Sequence, residues 1–193
     1  MMNKIKIAVF IVCSLPLIVY LWVATTGGFS PDPGKTLIRY FAHTALSLLL
    51  VVLSLPLWAR WHPTRQAKKL SRMLGLFCFF YVSLHFLSYL AFVTGFSWQV
   101  LVKDLTKRPY AYVGMFAFTI LLAMAFTSTQ GWQRLLRHNW KRLHRLVYLA
   151  LLLAVVHVTW VARSDYIWAV VYGTLGTILL AGRFYVHKIS NKE

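Results

Sequence analysis

Six apolar segments without a single Asp, Glu, Lys or Arg dominate this sequence of 193 residues. Each is close to the ~20 residues that a helix needs to cross the hydrocarbon core of a bilayer. Hydrophobic residues make up 59% of the chain and charged residues 13%, far from a soluble globular average. The sequence therefore predicts an all-α integral membrane protein, a six-transmembrane-helix bundle formed by a single domain over residues 1–193. We place the helices at about residues 7–26, 41–59, 74–95, 110–127, 146–162 and 166–182.

Most of the 21 Lys and Arg residues lie at one end of these segments: before the first, after the second and fourth, and after the sixth. The positive-inside rule then predicts that both termini are cytoplasmic. The basic residues are spread between apolar segments instead of forming one stripe, so the net charge of +17 does not indicate nucleic-acid binding. Membrane lipid is the expected surrounding.

The connections between the spans are short. The stretch Trp132–Leu143 has tryptophans and leucines at helical spacing and basic residues on its other faces, which predicts one interfacial amphipathic helix. On the outer side, Pro31–Gly34 is typical of a turn, and residues 96–109 are expected to form a loop. We see no internal repeat and no nucleotide-binding or HExxH pattern.

Three histidines lie within the predicted spans, namely His43, His85 and His157. At 1.5 Å per residue, His85 lies roughly 18 Å and His157 roughly 20 Å from the cytoplasmic face. Two histidines on different helices thus share one depth, where an imidazole on each face of a porphyrin would hold a six-coordinate heme b. We predict His85 and His157 as the axial iron ligands, with room for the ring left by small residues on their faces: Cys78, Ser88, Ala150 and Ala154.

Other interpretations of these histidines stay open. Intramembrane histidines also hydrogen-bond to each other or to Ser and Thr on neighbouring helices, as in a scaffold protein. Proton or ion transport is a further alternative, disfavoured because the spans contain no carboxylate. A third is direct reduction of ferric or another metal ion at the outer face.

His144 lies 13 residues before His157 and is rotated from it by about 140° around the helix. It is a candidate ligand of a second haem, a contact for a flavin or quinone, or an interfacial anchor. His43 lies near the outer face, with a structural and a functional role weighted about equally. Arginines near that face could pair with haem propionates: Arg39, Arg108 and Arg163.

Four stretches together with His157 resemble the MsrQ (YedZ) family of the ferric-reductase-like transmembrane superfamily. They are RMLGLFCFFYVSLHFLSY (Arg72–Tyr89), LTKRPYAYVGM (Leu105–Met115), LAMAFTSTQ (Leu122–Gln130) and WKRLHRLVYL (Trp140–Leu149). The resemblance covers nearly the whole chain and is specific through the combination of these stretches. It carries the family's histidines onto His85, His144 and His157.

The resemblance implies a haem-binding subunit in the bacterial inner membrane. Such a subunit passes electrons from the quinone pool, or from a cytoplasmic flavin reductase, to the periplasmic molybdenum-containing partner MsrP, which reduces methionine sulfoxide in oxidised proteins. It also implies bound FMN, for which no residue is assigned. No segment of the printed sequence resembles a nucleotide-binding domain, so we expect electrons to enter from another molecule and the final substrate to be reduced on the partner.

Overall fold

The computed structural model describes residues 2–27, 32–61, 66–162 and 165–190. Along these ranges the chain forms nine α-helices and no strand. They are α1 (Met2–Thr25), α2 (Pro33–Trp61), α3 (Gln66–Phe92), α4 (Trp98–Lys107), α5 (Pro109–Phe126), α6 (Gln130–Leu136), α7 (His138–His144), α8 (Val147–Val161) and α9 (Ile167–Ser190). The predicted all-α class is confirmed.

Five stretches of these helices are long and apolar enough to cross a membrane: Lys4–Thr25, Pro33–Ala59, Leu70–Thr94, Pro109–Phe126 and His138–Val161. The sixth predicted span corresponds to α9, whose apolar part, Ile167–Arg183, is shorter. Many large apolar side chains on these helices are exposed, as a lipid-facing surface requires. Six spans and cytoplasmic termini stay predictions.

The predicted turn Pro31–Gly34 is wrong in its second half, because α2 begins at Pro33. Proline suits the first helical position, where its missing amide costs nothing. The Asp32 carboxylate accepts a hydrogen bond from the Lys35 amide at 3.0 Å and pairs with the Lys35 ammonium at 2.8 Å, which caps the helix. Gly34 lies so close to Phe92 of α3 that an added Cβ would stand 2.9 Å from that residue's Cβ, so this glycine serves helix contact and not a turn. Pro31 lies outside the described residues.

Two other predicted connections also differ from the structure. Residues 96–109 are not a plain loop, because they contain the amphipathic helix α4, with Leu101 and Asp104 buried. The single interfacial helix predicted over Trp132–Leu143 is instead two short helices, α6 and α7. They are separated at Arg137, whose φ of 46° is incompatible with a continuous right-handed helix.

The helices group into two compact units. The first comprises Met1–Leu55 and Ala59–Trp98, and the second Pro56–Trp58 and Gln99–Glu193. The core of the first unit is formed by α1, α2 and α3 around Leu37, Phe41, Ala45 and Tyr81. In the second unit α5 packs along α8, and α8 also packs against α9.

In the first unit, a side chain of α3 is hydrogen-bonded to the backbone of α1 next to Pro16, which lies inside that helix. The amide of Leu17 donates at 3.2 Å to the hydroxyl of Tyr81. The same hydroxyl donates at 2.7 Å to the Cys13 carbonyl. Tyr81 is fully buried, and its phenol joins α1 to α3 one turn before His85.

Candidate functional site

His85 lies on α3 and is half-buried. Its Nδ1 lies 2.9 Å from the carbonyl oxygen of Ile38 on α2. A carbonyl oxygen can only accept, so Nδ1 carries the proton and donates it. In the neutral ring this makes Nε2 the unprotonated nitrogen.

His157 repeats this arrangement in the second unit. Its Nδ1 lies 2.7 Å from the carbonyl oxygen of Tyr110 on α5, so it too donates through Nδ1 and keeps the lone pair on Nε2. The Tyr110 ring also packs edge-on to the imidazole at a centroid distance of 6.5 Å. In both units the acceptor lies 47 residues before the histidine.

The likeness extends two helical turns along each helix pair. In the first unit the thiol of Cys78 donates at 3.3 Å to the carbonyl of Ala45, and both residues are buried. The corresponding positions of the second unit are Ala150 and Ala117, also buried. Small side chains at these positions allow two helix backbones to approach closely in a membrane. Cys78 and Ala150 therefore serve helix packing, which differs from the room for a ring that the sequence suggested.

His144 is held differently. Its Nε2 lies 3.3 Å from the hydroxyl of Thr127, whose own hydrogen is directed at the Ala123 carbonyl at 2.7 Å. The nitrogen that meets a protein partner is therefore Nε2 at His144, whereas it is Nδ1 at His85 and His157. The ring also stacks on that of Trp140, with 4.0 Å between the ring centroids, and the Trp140 indole donates to the Thr127 carbonyl at 2.9 Å. These contacts are those of an anchored interfacial residue.

Of the remaining predicted residues, only Arg108 contacts a partner of these histidines among the described hydrogen bonds. His43 is half-buried on α2, whereas Arg39 is exposed. Arg108 pairs with the buried Asp104 at 3.2 Å and donates to the Tyr110 hydroxyl at 3.1 Å. Arg163 lies outside the described residues.

The sequence analysis did not identify the residues that orient the two histidines. The acceptors at Ile38 and Tyr110 are backbone carbonyls, which leave no signature in a sequence. The sequence analysis also missed Gly114, where an ideal Cβ would stand 2.7 Å from His157 Nδ1. Unlike the carbonyls, this residue could have been found, because a lone glycine inside an apolar helix is visible in the sequence.

Fold and site together define a polytopic helical membrane protein in which each of two helix pairs presents an oriented imidazole. Residues 39–155 match the family of the ferric reductase like transmembrane component, and the chain belongs to this family. This confirms the broader resemblance and indicates a membrane redox role, and it supports a multi-pass membrane protein. No solved structure matches the chain. The match includes His43, His85 and His144 and ends two residues before His157.

The donor set is consistent with a haem. Along the described residues no three His, Cys, Asp or Glu side chains come together as a metal cluster would require. A haem iron needs only two protein ligands, and a ligating histidine ordinarily donates its other ring proton to a carbonyl or carboxylate. His85 and His157 both meet that condition. They belong to different units, so their pairing across one porphyrin stays a prediction.

Proposed function

We propose that the chain is a b-type cytochrome subunit of the bacterial inner membrane, carrying electrons outward to a periplasmic molybdenum-containing methionine sulfoxide reductase, MsrP. The observation that carries the proposal is the matched orientation of His85 and His157. Each imidazole donates Nδ1–H to a backbone carbonyl on the neighbouring helix and so directs its lone pair to Nε2. Membership of the ferric-reductase-like family supports the redox role.

The chain's own contribution would be to bind and tune the group. Bound haem would supply a one-electron iron couple, and Nε2 of His85 and of His157 would hold it. The two carbonyl hydrogen bonds fix the ring orientation and increase the electron density that each imidazole offers. The apolar helices around them exclude water, which further sets the reduction potential.

The donor and the partner belong to the same proposal. Quinol, or a cytoplasmic flavin reductase, would supply the electrons, and FMN is proposed as a second cofactor; for all of these the support is the resemblance to the MsrQ family. The described outer segment between α3 and α5 is only the short helix α4 with its flanks, which favours reduction of the final substrate on a docked partner.

Direct reduction of a metal ion is the second candidate function, favoured by the name of the matched family. The two can be told apart with reduced protein in detergent. MsrP plus methionine sulfoxide should reoxidise it rapidly if the first function holds. Reoxidation by chelated Fe³⁺ at a comparable rate, with none by the partner, would instead support the metal reductase.

The haem itself is tested by a dithionite-reduced minus oxidised spectrum with pyridine haemochrome quantification. The expected result is a low-spin b-type spectrum that His85→Ala and His157→Ala each abolish. His144→Ala should retain it, and so should His138→Ala, which removes an exposed histidine as a control. A colourless wild type after expression with ample haem would overturn the proposal. Retention in His157→Ala together with loss in His144→Ala would overturn the ligand assignment.

A further inference from the structure

The imidazole of His157 occupies the space where the side chain of residue 114 would stand. An ideal Cβ on Gly114 would lie 2.7 Å from His157 Nδ1 and 2.8 Å from Cε1. Favourable contacts between such atoms are about 3.5–4.0 Å. We propose that Gly114 is a positioning residue for His157: its missing side chain admits the imidazole to the Tyr110 carbonyl and so determines which ring nitrogen is offered to a metal.

Helix geometry explains why the glycine is needed at this position. In α5 the carbonyl of Tyr110 faces the amide of Gly114, four residues later. That oxygen has a second lone pair, and in this helix pair the His157 ring reaches it past the Cβ position of residue 114. With the imidazole at 2.7 Å from the oxygen, no room is left for a methyl group. An alanine at position 114 would therefore displace the ring from this carbonyl, because α8, which bears His157, packs along α5.

Not every helical glycine in this unit has such a contact. Gly173 of α9 also faces α8, yet a Cβ there would meet only Val155 Cγ1, at an ordinary 3.6 Å. Glycine inside a helix is less stable than alanine, so a tight contact is a physical reason to have it at position 114. Gly173→Ala is therefore a matched control for Gly114→Ala.

The first experiment reads the hydrogen bond without haem. Nitrogen-15 NMR of histidine-labelled protein in detergent, with His157 assigned from the His157→Ala spectrum, should show Nδ1 protonated and hydrogen-bonded in the wild type and in Gly173→Ala. Gly114→Ala should shift or lose that signal while the His85 signal stays. An unchanged His157 signal in Gly114→Ala would overturn the proposal, whether or not the protein binds haem.

The second experiment rests on the proposed function. A weakened Nδ1 hydrogen bond makes the imidazole a poorer electron donor, which stabilises ferrous over ferric iron. Gly114→Ala should therefore raise the midpoint potential and change the low-spin electron paramagnetic resonance signal, whereas Gly173→Ala changes neither. Wild-type values in Gly114→Ala would contradict the proposal. A wild type without haem would defeat the proposed function and leave the NMR result to decide the role of Gly114.

A cavity variant keeps the proposal testable if Gly114→Ala fails to fold. His157→Gly removes the ring that would clash, and added imidazole can restore six-coordinate haem. Imidazole can donate to the Tyr110 carbonyl but 1-methylimidazole cannot, so we expect it to bind about 2- to 10-fold more tightly. Adding Gly114→Ala in this background should remove the preference. Equal binding of both ligands before and after that addition would overturn the proposal.

Discussion

The helix pair that carries His85 and the pair that carries His157 orient their imidazoles with the same hydrogen bond, but the residues around that bond differ. Both place a histidine on the second helix and use a carbonyl 47 residues earlier to hold its Nδ1 proton. Four residues after that carbonyl the first pair has Ala42 and the second has Gly114. Two pairs with different neighbours but the same hydrogen bond indicate that imidazole orientation is the feature they have in common.

The supports of the two pairs also differ. The first is joined to α1 through Tyr81, whose hydroxyl is hydrogen-bonded to the backbone of α1 beside Pro16. The second is supported from α9, and its acceptor Tyr110 is tied through Arg108 to the buried Asp104. The two histidines therefore have different local supports, and the predictions below test each support by itself.

The largest effect is expected from enlarging a fully buried side chain of α8. Ala150 is completely buried, so Ala150→Leu must force α8 outward or distort its neighbours, at a cost of about 1–3 kcal/mol or more in the free energy of unfolding. The His157 NMR signal should change while that of His85 stays. Cys78→Leu, at the corresponding position of the first pair, should change the His85 signal and leave that of His157. It should lower the free energy of unfolding by less, because a cysteine side chain already fills part of the volume that leucine needs.

Thermal unfolding in detergent and the histidine NMR spectra measure both variants. Thr119→Leu is the control, since it adds bulk at an exposed position of α5. If Ala150→Leu destabilised the protein no more than Thr119→Leu, or left the His157 signal unchanged, the packing role of Ala150 would be refuted.

The two intramembrane histidines can be predicted from the sequence, whereas the hydrogen-bond acceptors that orient them cannot, for a physical reason. His85 and His157 stand out because polar residues are costly inside an apolar segment and because helical rise converts residue number into depth. Their acceptors do not, since every residue has a carbonyl. The correspondence between the pairs escapes a search for repeats because it depends on size and backbone position: Cys78 corresponds to Ala150, and Ile38 to Tyr110.

The helix boundaries show a similar limit. Proline and glycine around Asp32 predict a turn by composition, but the same proline suits a helix start, and the structure has α2 begin there. Arg137 interrupts the predicted interfacial helix because its φ is positive, and an arginine in the sequence does not predict a positive φ. Composition identified the elements, and the local backbone conformation determined where each one begins and ends.

Tyr81→Phe comes next in expected size. It removes the hydroxyl that accepts from Leu17 and donates to Cys13, and leaving buried backbone groups unsatisfied costs about 1–3 kcal/mol. Hydrogen exchange should accelerate at the Leu17 amide and around His85, and the second helix pair should keep wild-type protection. Tyr112→Phe, at an exposed position, is the matched control. Equal protection loss in both variants would show that Tyr81 does not clamp α1.

His144→Ala should reduce stability less than Tyr81→Phe does, and it tests the comparison of the two pairs 13 residues before His157. The corresponding residue of the first pair is Arg72, so the shared geometry does not extend to a second histidine pair. Losing the stack on Trp140 should cost about 0.5–1.5 kcal/mol. The low-spin spectrum should persist, as it should in the Arg72→Ala control. Loss of haem in proportion to that of His157→Ala would give His144 a ligand role instead.

The smallest effect concerns acid and the start of α2. Hydrogen bonds from the Lys35 ammonium and amide hold the pKa of the Asp32 carboxyl below its usual value. A lowered pKa means that the ionised cap stabilises the helix start fully above the ordinary aspartate pKa, about 3.9, and that this stabilisation is lost as the pH falls through the lower folded value. Hydrogen exchange at the Lys35 amide, corrected for the intrinsic pH dependence, should therefore lose protection only in that acidic range.

The variant Asp32→Asn keeps a capping side chain but removes its charge, so it should abolish the acid dependence of protection at the Lys35 amide. The protection of α5, which begins at a proline without a side-chain cap, should stay unchanged. A transition of equal size in Asp32→Asn would assign the acid sensitivity to another group.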